Sequence, residues 1–240
     1  GSIYREGDRL LQPDLACTIR RLAEAGGDDF YTGEIARAIS RDLAGHGAFI
    51  TPGDLQDYPV DEDRPWCGTY RGLEVTAPPY SFGAQFIEML QIAGHFDLAG
   101  LGHNTPRYID TLARIQRAGF ADCAQLEGMA RGEAWPLEQA LTHPAHAAFR
   151  AGQIAGEDPV AVSGTGAHHG TTHLTCIDAE RNVVSFTHSI GSLAGSGVVT
   201  PGLGFIYNNF LGFFRPLAGY PDSIVPGKKI GGSMAAILFK

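Results

Sequence analysis

No apolar run in the 240 residues approaches the roughly 20 that a membrane-spanning helix needs. There is no basic run either. With 18 Lys plus Arg against 26 Asp plus Glu, the net charge is −8, which argues against nucleic acid or an anionic membrane surface as the main partner. Cysteine is sparse. Cys17, Cys67, Cys123 and Cys176 lie far apart without a Cys-x-x-Cys pair, so a zinc ribbon or redox pair has little support, and they read as small buried hydrophobes. No segment repeats. What the chain does have is 44% hydrophobic residues, enough for a sizeable core, and this excludes global disorder. Its 32 glycines are nearly twice the usual share of about 7%, so loops and turns are numerous.

The first third reads as helices. Pro13 and Asp14 open one, Leu15, Ile19 and Leu22 share a face, and Gly26-Gly27 end it. Ile35, Ile39 and Leu43 recur at helical spacing, and Thr51-Pro52 caps a short turn containing Asp54. Leu73 to Thr76 reads as a strand stopped by Pro78-Pro79, and residues 84–98 as a buried helix. Thr105-Pro106 starts another helix, with Ile109, Leu112, Gln116 and Phe120 on one stripe. Residues 151–170, rich in Gly and Ala, have few large apolar side chains and are expected to be mobile. Then the pattern turns abruptly to β. Residues 172–178 and 183–190 flank a polar loop, Ala179-Glu180-Arg181-Asn182, predicting a hairpin with Thr171 opposite Ile190 and Thr172 opposite Ser189. Gly-rich strands and turns follow, ending in a strand at Ile237-Leu238-Phe239-Lys240.

The junction at Gly170-Thr171 offers specific chemistry. Cutting that bond would give Thr171 a free α-amino group with a pKa near about 8, able to take the proton from its own hydroxyl. Nucleophile and base then share one residue. Gly170 before the cut leaves its carbonyl open to the hydroxyl. Along the second strand Ser185, Thr187 and Ser189 point one way, as hydroxyls able to orient that terminus, or simply as the polar face of an ordinary hairpin. His168, His169 and His173 crowd the junction, but their spacing matches no standard zinc motif.

The segment Thr171-Thr172-His173, followed by Asp178, Asn182-Val183 and Ser185-Phe186-Thr187, resembles the start of the small subunit of γ-glutamyltransferases. Further blocks agree in order: Phe30-Tyr31-Thr32-Gly33-Glu34-Ile35-Ala36, then Ile50-Thr51-Pro52-Gly53-Asp54-Leu55 with Tyr58, then Tyr70-Arg71-Gly72 before Pro78-Pro79. Gly195-Ser196-Gly197, Asn208-Asn209 and Pro226-Gly227-Lys228-Lys229 with Ser233-Met234 complete the set. The resemblance implies an α+β fold, the four-layer αββα sandwich of N-terminal nucleophile (Ntn) hydrolases, made as a precursor and cut by itself. It implies residues 1–170 as the end of a large-subunit-like region and 171–240 as the start of a small-subunit-like region, the two fragments staying paired. Thr171 would be nucleophile and cleavage residue, Ser189 its supporting hydroxyl, and Gly191, Asn209, Phe210, Phe213, Gly232 and Ser233 the substrate-binding positions. The substrate would be a small amide or peptide, with no cofactor.

Two positions depart from the family. Gly191 stands where the family has Asn. Phe210-Leu211-Gly212-Phe213-Phe214 replaces an acidic run whose carboxylate meets the substrate's ammonium. Charged head groups need charged partners when desolvated, so γ-glutamate fits poorly. The family's N-terminal substrate-binding Arg and its downstream oxyanion loop have no counterpart, so the chain reads as the middle of a longer enzyme. Two classes stay open: a Thr171-dependent amide hydrolase or acyltransferase, and an inactive or truncated member serving as a non-catalytic module.

Overall fold

A computed structural model describes residues 4–58, 60, 62–79, 81–126, 131–156, 171–220, 223–229 and 234–240. They form two compact units interleaved in sequence, one of residues 1–62 with 190–209 and one of residues 63–189 with 210–240.

The first unit carries helices α1 (Pro13–Ala25), α2 (Asp28–Tyr31), α3 (Glu34–Gly45) and α4 (Pro52–Gln56). Their starts follow local chemistry. Pro occupies the first turn of α1 and α4, and Thr51 closes a capping box with Asp54. Ile35, Ile39 and Leu43 are buried together with Leu203, flanked by Leu22, Phe30, Phe205 and Tyr207. On α1 the expected face is rotated: Ile19 is exposed and Thr18 is buried, its hydroxyl donating to the Leu203 carbonyl at 2.8 Å. Asp29 is tied by the Arg21 guanidinium at 2.6 and 2.9 Å, and these hydrogen bonds hold its carboxyl well below the usual range. Gly195 has φ +52°, and a Cβ there would run into the Tyr207 carbonyl.

The second unit is built on α5 (Ser81–Ala93). One face of it covers the antiparallel pair β1 (Trp66–Tyr70) and β2 (Leu73–Ala77), joined at its edge by β5 (Leu238–Phe239). Trp66, Val75, Ala77, Ala84 and Ile87 form that core. The other face meets α6 (Pro106–Cys123) and α8 (Pro144–Ala155), where Ile92, Ile115, Ala147, Ala151 and Ile154 are buried. The α5–α6 approach is close: a Cβ on Gly119 would lie 2.6 Å from Met89 Cγ. Helix α7 (Arg131–Leu141) adds a small cluster of Leu126, Ala134 and Leu141. A separate hairpin pairs β3 (Thr171–Ile177) with β4 (Val183–Ser189).

Several expectations change. Helix α5 ends at Ala93, short of residue 98. The α6 stripe is wrong: Ile109 and Phe120 are exposed, while Arg114, Ile115, Gly119 and Asp122 are buried. Its buried charges are paired, which reverses the usual reading of a polar face. Residues 151–155 belong to α8, with Ala151 and Ile154 in the core, so only the stretch after them is left of the predicted mobile segment, and its residues 157–170 lie outside the described residues. The cysteines are free, but Cys17, Cys67 and Cys176 are exposed rather than buried. Among the described residues no helix is long and apolar enough to cross a membrane.

Candidate functional site

Thr171 is the first residue of β3, and the hairpin register decides what faces it. Thr171 pairs with Ser189, His173 with Thr187 and Thr175 with Ser185. This is one residue away from the predicted register, because the connecting loop is longer. Asp178 accepts from the Asn182 backbone N–H and from its side-chain amide, both at 2.8 Å, and Arg181 takes φ 68°, so the turn spans Asp178 to Asn182. These hydrogen bonds hold the Asp178 carboxyl below its usual value.

The consequence is a single strand face of hydroxyls around one imidazole. Thr171 Oγ1 donates to Ser189 Oγ at 3.2 Å. His173 Nδ1 lies 2.8 Å from Thr187 Oγ1, and its Nε2 lies 3.3 Å from Thr175 Oγ1 and 3.4 Å from Ser185 Oγ. In the sequence His173 stood out only as one of the histidines crowding the junction. Its place two residues after Thr171, hence on the same face, was the signal available.

The other predicted site residues divide between the two units. Gly191 (φ 88°) and Asn209 belong to the first. There Asn209 accepts from the Ser192 N–H at 3.0 Å and donates to Ser192 Oγ at 2.7 Å, with its own N–H on the Ile190 carbonyl at 3.1 Å. Phe210 and Phe213 belong to the second, in a single 3-10 turn with ring centroids 5.5 Å apart. Gly170, Gly232 and Ser233 lie outside the described residues, as do His168 and His169.

A second polar cluster was not foreseen. Glu88 on α5 and Asp122 on α6 are fully buried. His146 Nε2 lies 2.9 Å from Glu88 Oε1 and 3.2 Å from Asp122 Oδ2. The Arg150 guanidinium donates to both Asp122 oxygens, through Nε at 2.7 Å and through Nη2. Burial, then the hydrogen bond with Asp122 and its charge, pushes the Glu88 carboxyl up to about 9. Burial opposes the charge on Asp122 too, but Arg150 and Glu88 outweigh it and hold that carboxyl below its ordinary value. The donor atoms of Glu88, Asp122 and His146 lie within 4.8 Å of one another, a possible metal set. With both Asp122 oxygens on Arg150 and a proton on Glu88, the group is balanced as a proton-sharing network, so the donors do not fit a metal well.

This network makes a prediction. Folded Glu88 keeps a proton that the unfolded chain releases, between 4.5 and about 9. Its stabilising contribution is therefore complete below the lower value and lost as pH rises through the upper one. Melting temperature measured from pH 6 to 10 should fall less steeply in Glu88→Gln, which keeps a donor but cannot ionise. Equal slopes in both proteins would refute it.

Comparison with known proteins now adds to this geometry. Residues 1–240 match the family model described as Gamma-glutamyltranspeptidase. The Acylase ACY 1 proenzyme of Pseudomonas sp. (strain V22) is 35% identical over 99% of this chain and 43% of its own length. The Glutathione hydrolase proenzyme of Bacillus subtilis (strain 168) is 32% identical over 100% of the chain and 45% of its own length. The chain thus spans less than half the length of these curated relatives. Among solved structures, cephalosporin acylase from Bacillus halodurans superposes with a TM-score of 0.76 at 24% identity, over 98% of this chain and 43% of that one. The fold is accordingly the α+β fold of the Ntn hydrolases, of which this chain carries a part. A family model matched from the first residue to the last, and relatives above 30% identity over nearly all of the chain, establish that it belongs to the γ-glutamyltranspeptidase family.

Proposed function

We propose that the chain carries the nucleophile of an N-terminal-threonine amide hydrolase or acyltransferase, self-processed at Gly170–Thr171 so that residues up to 170 end one fragment and residue 171 begins the other. The observation that carries this reading is the Thr171–Ser189 hydroxyl pair at the head of β3. In processing, the Thr171 hydroxyl oxygen adds to the Gly170 carbonyl carbon. The peptide C–N bond breaks, an ester forms to Oγ, and its nitrogen becomes the Thr171 amine. Water then hydrolyses the ester, leaving a Gly170 carboxylate and the free amine. In turnover that amine takes the hydroxyl proton while Oγ attacks a substrate amide, and the proton passes to the departing amine. Water or an acceptor amine releases the acyl group. Ser189, already within hydrogen-bond distance, supports the oxygen as its charge develops. Ser189→Ala should lower kcat by about 10²–10³-fold, the effect of losing one positioned donor, with KM little changed. A raised KM at constant kcat would remove Ser189 from this role.

The relatives include both glutathione hydrolases and acylases, so membership leaves the acyl group open. We favour one that is apolar or singly charged. By the family resemblance, Phe210 and Phe213 stand in the run that supplies a carboxylate to a substrate ammonium, and they offer rings instead. The simplest test of the whole reading is the mass of the purified complete protein: two fragments, the second beginning at Thr171, are expected, and one intact chain would favour a non-catalytic module.

A further inference from the structure

A cleft of about 240 Å³ opens between α6 and α8, lined by Arg114, Arg117 and Arg150, with Gln153 at its side and Ala118 and Ile154 among its apolar walls. Three guanidinium groups in one small cleft are unusual in a chain with 18 cationic residues and a net charge of −8. Arg114 and Arg150 are held in place by bonds within the protein. Arg114 is buried, paired with Asp110 at 2.7 Å, and donates to the Ile154 carbonyl at 3.3 Å in the last turn of α8. Arg150 is fixed by Asp122 and donates to the Gln153 side-chain carbonyl at 2.8 Å. Such groups lose little conformational freedom when they meet a ligand, although the Asp110 and Asp122 carboxylates already take part of their charge. The neighbouring Ala118 and Ala121 leave the space between them open.

We propose that this cleft is a binding site for a compact dianion, with the oxygens of a phosphate or of a small dicarboxylate set among the three arginines. Its volume lies below the roughly 300–1,000 Å³ of sites for larger organic ligands. Because Arg114 and Arg117 stand on α6 while Arg150 and Gln153 stand on α8, the dianion clamps the two helices together. The site is independent of Thr171 and of any processing.

The test is calorimetric titration of the whole chain with inorganic phosphate and, separately, with succinate. Saturable binding of either is expected, weakening about tenfold or more between low and high salt, together with a rise in melting temperature at saturation. Phosphate alone would identify a tetrahedral oxyanion site, and succinate alone a carboxylate site. Arg117→Gln alters an exposed side chain and should weaken binding at least about tenfold, as loss of a charge-assisted contact does. Gln153→Ala, also at an exposed position, should weaken it less. The proposal is overturned if neither anion binds, or if folded Arg117→Gln and Gln153→Ala both bind as the parent does.

Discussion

Replacing Thr171 by Ala should leave the complete protein as one uncut chain with no measurable turnover. Under the proposed chemistry the substitution removes the oxygen that adds to the Gly170 carbonyl and, in turnover, to the substrate, so processing and catalysis fail together. Thr171→Ser should retain part of both, since a hydroxyl remains while the methyl that helps fix its rotamer is lost. Intact mass and amide turnover, measured on the same preparations, give both readouts. Processing at Gly170 in the Ala protein would eliminate Thr171 as the residue that performs the cut. Processing retained together with lost turnover would place the cleaving group elsewhere while sparing the nucleophile.

The second large effect concerns the acyl group. A γ-glutamyl substrate brings an ammonium and a carboxylate on one carbon, and each must exchange water for a protein partner. Missing a hydrogen-bonded charge partner typically weakens an interaction by about 2–5 kcal/mol, or about 30-fold to several-thousand-fold. The complete protein should therefore cleave a γ-glutamyl anilide less efficiently, by a factor in that range, than an anilide whose acyl chain is apolar or ends in a single carboxylate. Comparable kcat/KM values for the two would sink this specificity. Introducing a carboxylate with Phe213→Asp should narrow the gap if Phe213 stands where the ammonium would bind.

Much of the fold was legible wherever the cause was local. Thr51 with Asp54, Thr105 with Pro106, and the Ile35–Ile39–Leu43 row each state their structure within one or two helical turns, and each is found as read. The failures have distant causes. The buried face of α6 was missed because Asp122 is matched by Arg150, which lies 28 residues further on. Ile19 was misplaced because the Thr18 hydroxyl reaches a carbonyl 185 residues away. At the candidate site the chemistry-bearing residue types were legible but their facing was not. The Asp178–Asn182 hydrogen bonds lengthen the turn by one residue, and that slip sets Thr171 against Ser189 rather than Ile190. The Glu88–Asp122–His146 group joins three separate helices, and no spacing rule brings them together.

The position of Thr171 within the hairpin also bears on the order of folding. The tight turn from Asp178 to Asn182 closes the shortest loop, and pairing spreads outward from Ile177–Val183 to Thr171–Ser189 at the open end. Hairpin closure takes about 1–10 μs, far faster than a peptide bond is cut. Under the proposed chemistry the reactive hydroxyl gains its Ser189 partner only at the last pair. The cut then acts as a chemical record that the strand pairing has been completed. A chain whose register had slipped would set Thr171 against a different residue and be cut more slowly, so early in processing the cleaved molecules would be enriched in those that folded correctly.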